Sequence, residues 1–279
     1  MTISSLARRY LRVQKRRTVL TAIGVTMSVA LIAATGLLLS GFLNMMLTQR
    51  KTEDGSWHYL VNEIQTQELA DRLKGNALFQ KAGIAAKDTA LKVGEKDGKD
   101  QTIPLCEYDA AALSMMPDVM EQGRFPKNSR EVMLSTSAKA YFPSAALGST
   151  LTLPNGTLDP DSGGGSSDDS DDSAFSAHNT GTFTKKNERT FTVVGFFRKG
   201  LYDYENSESA VTLNPTGAHA YSVYAQIKPG LNFPESAKKA VADCGIKQEN
   251  LHENGIVEWM GKSASTRIKA AAVTTFLIL

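Results

Sequence analysis

Four sets of residues in this 279-residue sequence have types that could do chemistry. Gly255, Gly261, Lys262 and Ser263 have the look of a phosphate-binding loop, in which backbone N–H groups cradle phosphates and a lysine reaches them. Five residues separate the two glycines, one more than that loop takes, so the spacing fails. The run DDSDDS offers carboxylates to calcium but lacks the D-x-D-x-D-G spacing that wraps a chain around the ion, and it reads as a solvated loop. His58, His178, His219 and His252 are scattered, with no H-E-x-x-H and no metal-ligand spacing. Cys106 and Cys244 form no C-x-x-C pair; they read as small buried apolar residues, with a disulfide between them left open. No G-x-S-x-G occurs. The expectation is no catalytic residue, no cofactor and no metal, and a chain that is not an enzyme.

The informative pattern lies in the elements that would carry such residues. From Thr18 to Gln49 no residue is charged, and the most apolar part runs from Val19 to Leu43. A membrane-spanning helix needs about 20 such residues. Asn44, Thr48 and Gln49 make the end of the run polar, so its last turns are expected to stand out of the bilayer as a stalk. Arg8, Arg9, Arg12, Lys15, Arg16 and Arg17 precede the run without an acid among them. Positive flanks stay cytoplasmic, which puts the N-terminus inside and Glu53 onward outside. Within residues 1–17, Ile3, Leu6, Tyr10 and Val13 share a helical face opposite the bases. That is the pattern of a basic amphipathic helix on the cytoplasmic leaflet, or of a charge cluster that only sets topology. A cleaved signal peptide is the rival, but its apolar stretch is only about 7–15 residues long.

The expected span, residues 18–47 with its stalk extension, has two unlike sides. Thr18, Ala22, Thr26, Ala33, Gly36 and Ser40 form one stripe; Leu20, Met27, Leu31, Leu38, Phe42 and Met45 form the other. Small residues let helix backbones approach closely in lipid, so the first stripe is expected to pack on other helices. Ala270 to Leu279 is again uncharged and apolar. Residues 265–279 are therefore expected to begin a second span, with the chain continuing beyond Leu279.

Residues 48–264 make the expected extracytoplasmic domain, large enough to bury a core. All 29 acids lie from Glu53 onward with 23 of the 31 bases, so this part carries −6, which argues against nucleic acid as a partner. Strands are expected at SWHYLV, Gly83–Val93, Gln101–Glu107, EVMLS, STLTLP, RTFTVVGFFR, SESAVTL and AYSVYAQIK. Helices are expected at Thr66–Lys74, capped by Thr66 and closed by Gly75, at Asp109–Met116 and at Pro234–Ala242, with a helical turn at SAKAYF. The irregular alternation predicts a mixed α+β fold. Of the 33 residues between Asn155 and Asn187, 17 are Gly, Ser or Asp. Such a segment buries too little to offset its ordering entropy, so residues 155–187 are expected to be a disordered acidic insertion.

LARRYLRVQKRRTVLTAIGVTMSVALIAA resembles the start of MacB/FtsX-like permeases of ABC transporters, and QELADRLKGNALFQKAGIA is similar to their early helix and strand. MEQGRFPKNSREVMLSTSAKAYF resembles their most recognisable ectodomain stretch, a turn at Gly123, Arg124, Phe125 and Pro126 followed by a strand from Glu131. FTVVGFF looks like their later core strand around Gly195. The resemblance implies a four-span membrane permease with a two-lobed α+β ectodomain between spans one and two. It implies a separate cytoplasmic ABC ATPase as partner, a permease homodimer or heterodimer, and a mechanical task in the bacterial cytoplasmic membrane. Gly123, Arg124, Pro126, Glu131 and Gly195 are then scaffold residues rather than a ligand site. The rival class is a sensor or receptor with a ligand-binding domain between two spans; a third reading, a secreted binding protein, requires cleavage near Ala34.

Overall fold

A computed structural model of the chain describes residues 14–96, 99–117, 120–160, 181–198, 209–215 and 220–261. It divides into two compact units, one of which is Arg50–Val257; the described residues up to Gln49 belong to the other.

Helix α1, Lys15–Asp54, is unbroken for 40 residues and has no buried residue. It is long and apolar enough to cross a membrane. At 1.5 Å per residue it measures roughly 60 Å against a hydrocarbon core of roughly 30 Å. Its Thr and Ser hydroxyls satisfy themselves on preceding carbonyls, as Thr26 Oγ1 does on Ala22 O at 2.8 Å. Of the expected amphipathic segment, Arg8, Arg9 and Arg12 lie outside the described residues, as do residues 262–279 with the expected second span.

The 50–257 unit is built on one ten-stranded sheet. Its first part comprises β1 (Tyr59–Ile64), α2 (Gln67–Lys74), β2 (Phe79–Lys96), β9 (Tyr221–Ile227), α4 (Phe233–Asp243) and β10 (Leu251–Glu253). These pair antiparallel in the order β10-β1-β9-β2, the strand order of a ferredoxin-like split βαβ pair. Thr66 Oγ1 caps α2 by accepting from Leu69 N, and Asn232 Oδ1 caps α4 by accepting from Glu235 N. The helices bury Ala70 and Leu73, and Ala237, Ala240 and Val241, against the sheet.

The second part is inserted between β2 and β9. It contains β3 (Lys99–Tyr108), α3 (Ala110–Leu113), β4 (Met120–Gly123), β5 (Glu131–Ser135), β6 (Thr150–Pro160), β7 (Gly181–Phe197) and β8 (Ala210–Leu213). Pairing runs β2-β3-β8-β5-β7-β6 and returns to β2 through Ala90↔Gly156 and Leu91↔Asn155, closing a six-stranded barrel. Leu91, Ile103, Leu105, Val132, Leu134, Phe191, Val193, Phe196 and Ala210 share the buried cluster of the barrel. Alternate residues of the same strands (Cys106, Tyr108, Met133, Val211, Leu213) join Leu60, Ala85 and Tyr224 in a second cluster. The two lobes are thus a helix-covered half and a barrel, sharing β2.

One boundary is corrected. Residues 155–160 and 181–187, expected to be disordered, are strand: β6 and β7 pair from Asn155↔Asn187 to Pro160↔Gly181, with one register shift between Asn155 and Gly156. The composition is poor in bulky side chains, but a ladder is held by backbone bonds and needs few of them. Residues 161–180, the rest of the expected insertion, lie outside the described residues.

Candidate mechanical junction

Residues 55–58 connect the end of α1 at Asp54 to the start of β1 at Tyr59. Gly55 makes the turn with φ +84°, and a side chain there would put its Cβ 2.6 Å from Met115 O. The next residues are held at every step. Ser56 N donates to Met115 O at 2.7 Å, and Gln226 Nε2 donates to Ser56 O at 2.7 Å and to its Oγ at 3.0 Å. His58 N donates to Ala225 O at 2.8 Å. Trp57 meets Tyr224 edge-on at 5.5 Å.

His58 is buried, and its ring stacks on Phe233 at 4.8 Å. Its Nδ1 accepts from Ile227 N at 3.0 Å, a bond only an unprotonated nitrogen can make. Burial, with the Lys51 charge adding to it, lowers its pKa to about 4. At neutral pH the junction therefore holds a neutral imidazole.

The returning chain enters the same place. β10 pairs with β1, and after it a helix, α5, covers 255–261. Asn254 is buried; its N donates to His58 O at 2.9 Å and its Nδ2 to Asp54 O at 3.2 Å, while its Oδ1 accepts from Ile256 N at 3.0 Å. Tyr59 Oη donates to Glu253 at 2.8 Å and closes the β1–β10 edge; burial and that bond push the phenol up. Gly255 and Gly261, weighed as a phosphate loop, bracket a helix, and Lys262 and Ser263 lie outside the described residues.

The family-motif residues lie elsewhere, where β4 crosses β7. Gly123 takes φ +86°, and a Cβ on it would lie 2.2 Å from Val194 O; Gly195 faces it in register. Arg124 reaches both oxygens of Glu131 at 2.7 Å, and Lys127 N donates to the same carboxylate at 2.8 Å. Arg124 first, then the Lys127 N–H, holds the Glu131 carboxyl down at about 2. Pro126 is buried in the loop this pair encloses. These five residues come together where β4 meets β7.

Of the stripe on α1, Thr18, Gly36 and Ser40 are half-buried, and Ala22, Thr26 and Ala33 are exposed. A shallow open groove lined by Gln14, Arg17, Thr18, Thr21, Ala22, Val25 and Thr26 follows its first turns. Lys15, Arg16 and Arg17 are exposed on the first turn. Cys106 and Cys244 are buried and not joined in a disulfide, and burial pushes Cys244 up. Among the described residues no group of three or more His, Cys, Asp or Glu could hold a metal ion.

The sequence reading missed the junction. Its signals were short: an Asn before the apolar pattern of IVEWM, and a Gly one residue after the last acid of α1.

Residues 18–243 match the family model of the MacB-like periplasmic core domain. No curated protein matches the chain significantly. The structure is similar to the extracellular domain of the noncanonic ABC-type transporter YknZ from Gram-positive bacteria, at 14% identity and a TM-score of 0.40, covering 70% of this chain and 98% of that one. It is also similar to a domain of a permease protein from Porphyromonas gingivalis, at 13% identity and a TM-score of 0.40, covering 71% and 88%.

Proposed function

The chain belongs to the family of MacB-like periplasmic core domains, a transporter permease component, and from this we propose that it is the N-terminal part of an ABC-transporter permease that transmits motion rather than performing chemistry. The observation that carries the reading is the unbroken helix α1, longer than a bilayer is thick, ending in residues hydrogen-bonded into the sheet. A simple anchor needs neither the extra length nor a rigid exit.

In this reading the N-terminus is cytoplasmic and residues 53–262 are extracytoplasmic. A separate cytoplasmic ABC ATPase moves a permease homodimer or heterodimer, whose spans meet through the stripe Thr18, Ala22, Thr26, Ala33, Gly36 and Ser40. The stalk carries that movement to the sheet, for export or for mechanical signalling. The chain itself neither binds nor hydrolyses ATP.

The test is reconstitution of the full-length permease with the ATPase encoded beside it. Ala33→Leu and Gly36→Leu add bulk where helices would pack and are expected to uncouple ATP hydrolysis from transport. Met27→Leu on the opposite face is expected to leave it intact. If the stripe variants match Met27→Leu, the span is only an anchor and the receptor reading gains. Orientation is tested separately: an impermeant thiol reagent on intact cells is expected to label Ser167→Cys and to spare Ser4→Cys.

A further inference from the structure

An asparagine side chain has one carbonyl acceptor and two N–H donors. Asn254 uses both kinds on two different helices. Its Oδ1 accepts from Ile256 N, the bond of an N-cap, at the start of α5. Its Nδ2 donates to Asp54 O, in the last turn of α1, where carbonyls have no partner within the helix. Turning the amide over would set donor against donor and acceptor against acceptor, so the two bonds fix its orientation together. Its backbone N–H meets His58 O, which ties the same residue to the first turn of chain after α1. Asn254 is 3% exposed; its bond to Ile256 N is buried and its bond to Asp54 O half-buried. Asp54 and Asn254 are 200 residues apart in sequence.

We propose that Asn254 is a positioning residue that pins the end of the outgoing helix to the start of the returning one, so that both load the β1–β10 edge as a unit. The proposal rests on the permease reading for its purpose, but not for its geometry. Without the pin, α1 and α5 would press on adjacent strands independently, and part of any stalk movement would be lost as relative sliding.

A plain N-cap is the competing role, and two substitutions separate them. Asn254→Asp and Asn254→Ser both keep an acceptor suited to capping α5. Neither presents an N–H to Asp54 O; the serine hydroxyl is too short to span the gap. Asn254→Ala removes both bonds.

The experiment is hydrogen exchange on the full chain in lipid nanodiscs, read over 50–58 and 255–261. In Asn254→Asp and Asn254→Ser, exchange over 50–58 is expected to rise about fivefold, as for the loss of one hydrogen bond, with 255–261 still protected. Asn254→Ala is expected to raise both. Unchanged exchange over 50–58 in both capping variants overturns the proposal. So does a rise shared with the distant β6–β7 hairpin, because that would mark a global loss of stability. Coupling is then read with the neighbouring ATPase: the two capping variants are expected to lose transport while basal ATP hydrolysis persists. A wild-type chain that responds to no ATPase sinks the permease reading while the exchange result still decides the pin.

Discussion

In the helix-covered half, β10 and β1 lie at the rim of the sheet, and the chain's connections to α1 and α5 enter there, three strands away from the barrel's other members. In the barrel, six strands pair around a closed circuit, and β4 alone hangs outside on β7. β1 is connected directly to α1, and β10 to α5. A closed barrel has no free edge to slip or to recruit another chain. Strand β2 belongs to both: residues 79–86 pair with β9, and residues 90–91 pair with β6, with a register shift between 86 and 89 on its β3 side. One half thus carries the chain's connections at its edge strands, and the other closes its strands on one another.

The largest effect should come from opening the barrel. Phe191 is buried in its interior, and Phe191→Ala is expected to cost about 3–5 kcal/mol. Because β2 is shared, urea unfolding of the 50–257 unit should remain one transition; two separated transitions would break the comparison by showing that the halves are independent.

Acid should then distinguish the halves. His58 is held neutral in the folded state, so as pH falls below 6.5 the unfolded chain takes up the proton first. Stability should drop between pH 6.5 and 4, on the order of 3 kcal/mol, and the pH dependence should flatten in His58→Asn, whose Oδ1 can still accept from Ile227 N. A wild-type melting temperature flat across that window would show that His58 titrates normally. Glu131 acts with the same sign, lower in range. Its carboxyl is held at about 2, so the stability it contributes is intact above pH 4.5 and lost as pH falls toward 2.

Asp109 joins the halves. It caps α3 through Ala112 N at 2.7 Å, accepts from Ile84 N at 3.0 Å and pairs with Lys74 of α2 at 2.8 Å. Asp109→Ala is expected to cost about 2 kcal/mol by urea denaturation. A change under half a kcal/mol would mean that the halves are joined by apolar packing alone. A smaller loss is expected from Arg124→Ala, since that pair is half-exposed; melting of the variant with and without high salt checks it.

The smallest effect should follow from replacing residues 162–179 by a two-residue turn. Pro160 and Gly181 are register partners, so their ends already meet. Shortening the connection should change stability by less than about 1 kcal/mol. Removing the strand residues 156–160 and 181–186 as well should be far worse, because Gly156 is part of the barrel's closure.

Local signals in the sequence are faithful where the physics is local. The span at Thr18–Gln49 follows from the absence of charge. The helix at 67–74 follows from Thr66 and Gly75. The strand at Glu131–Ser135 was legible because β-branched and apolar residues sit together, although its parallel pairing with β7 was not. β4 and β10 were missed, being four and three residues long with no periodicity to show.

The sequence by itself determined an apolar helix longer than a membrane, an acidic α+β domain after it, and the lack of a catalytic or metal-binding pattern. These depend on composition and on neighbours within a few residues. Tertiary structure alone decided that β2 serves two halves, that β6 returns to close a barrel, that residues 155–160 and 181–187 are ladder rather than loop, and that Asn254 meets Asp54. Each of these is a backbone or amide bond between residues far apart in the chain, and such a bond leaves no trace in the side-chain pattern on either side of it.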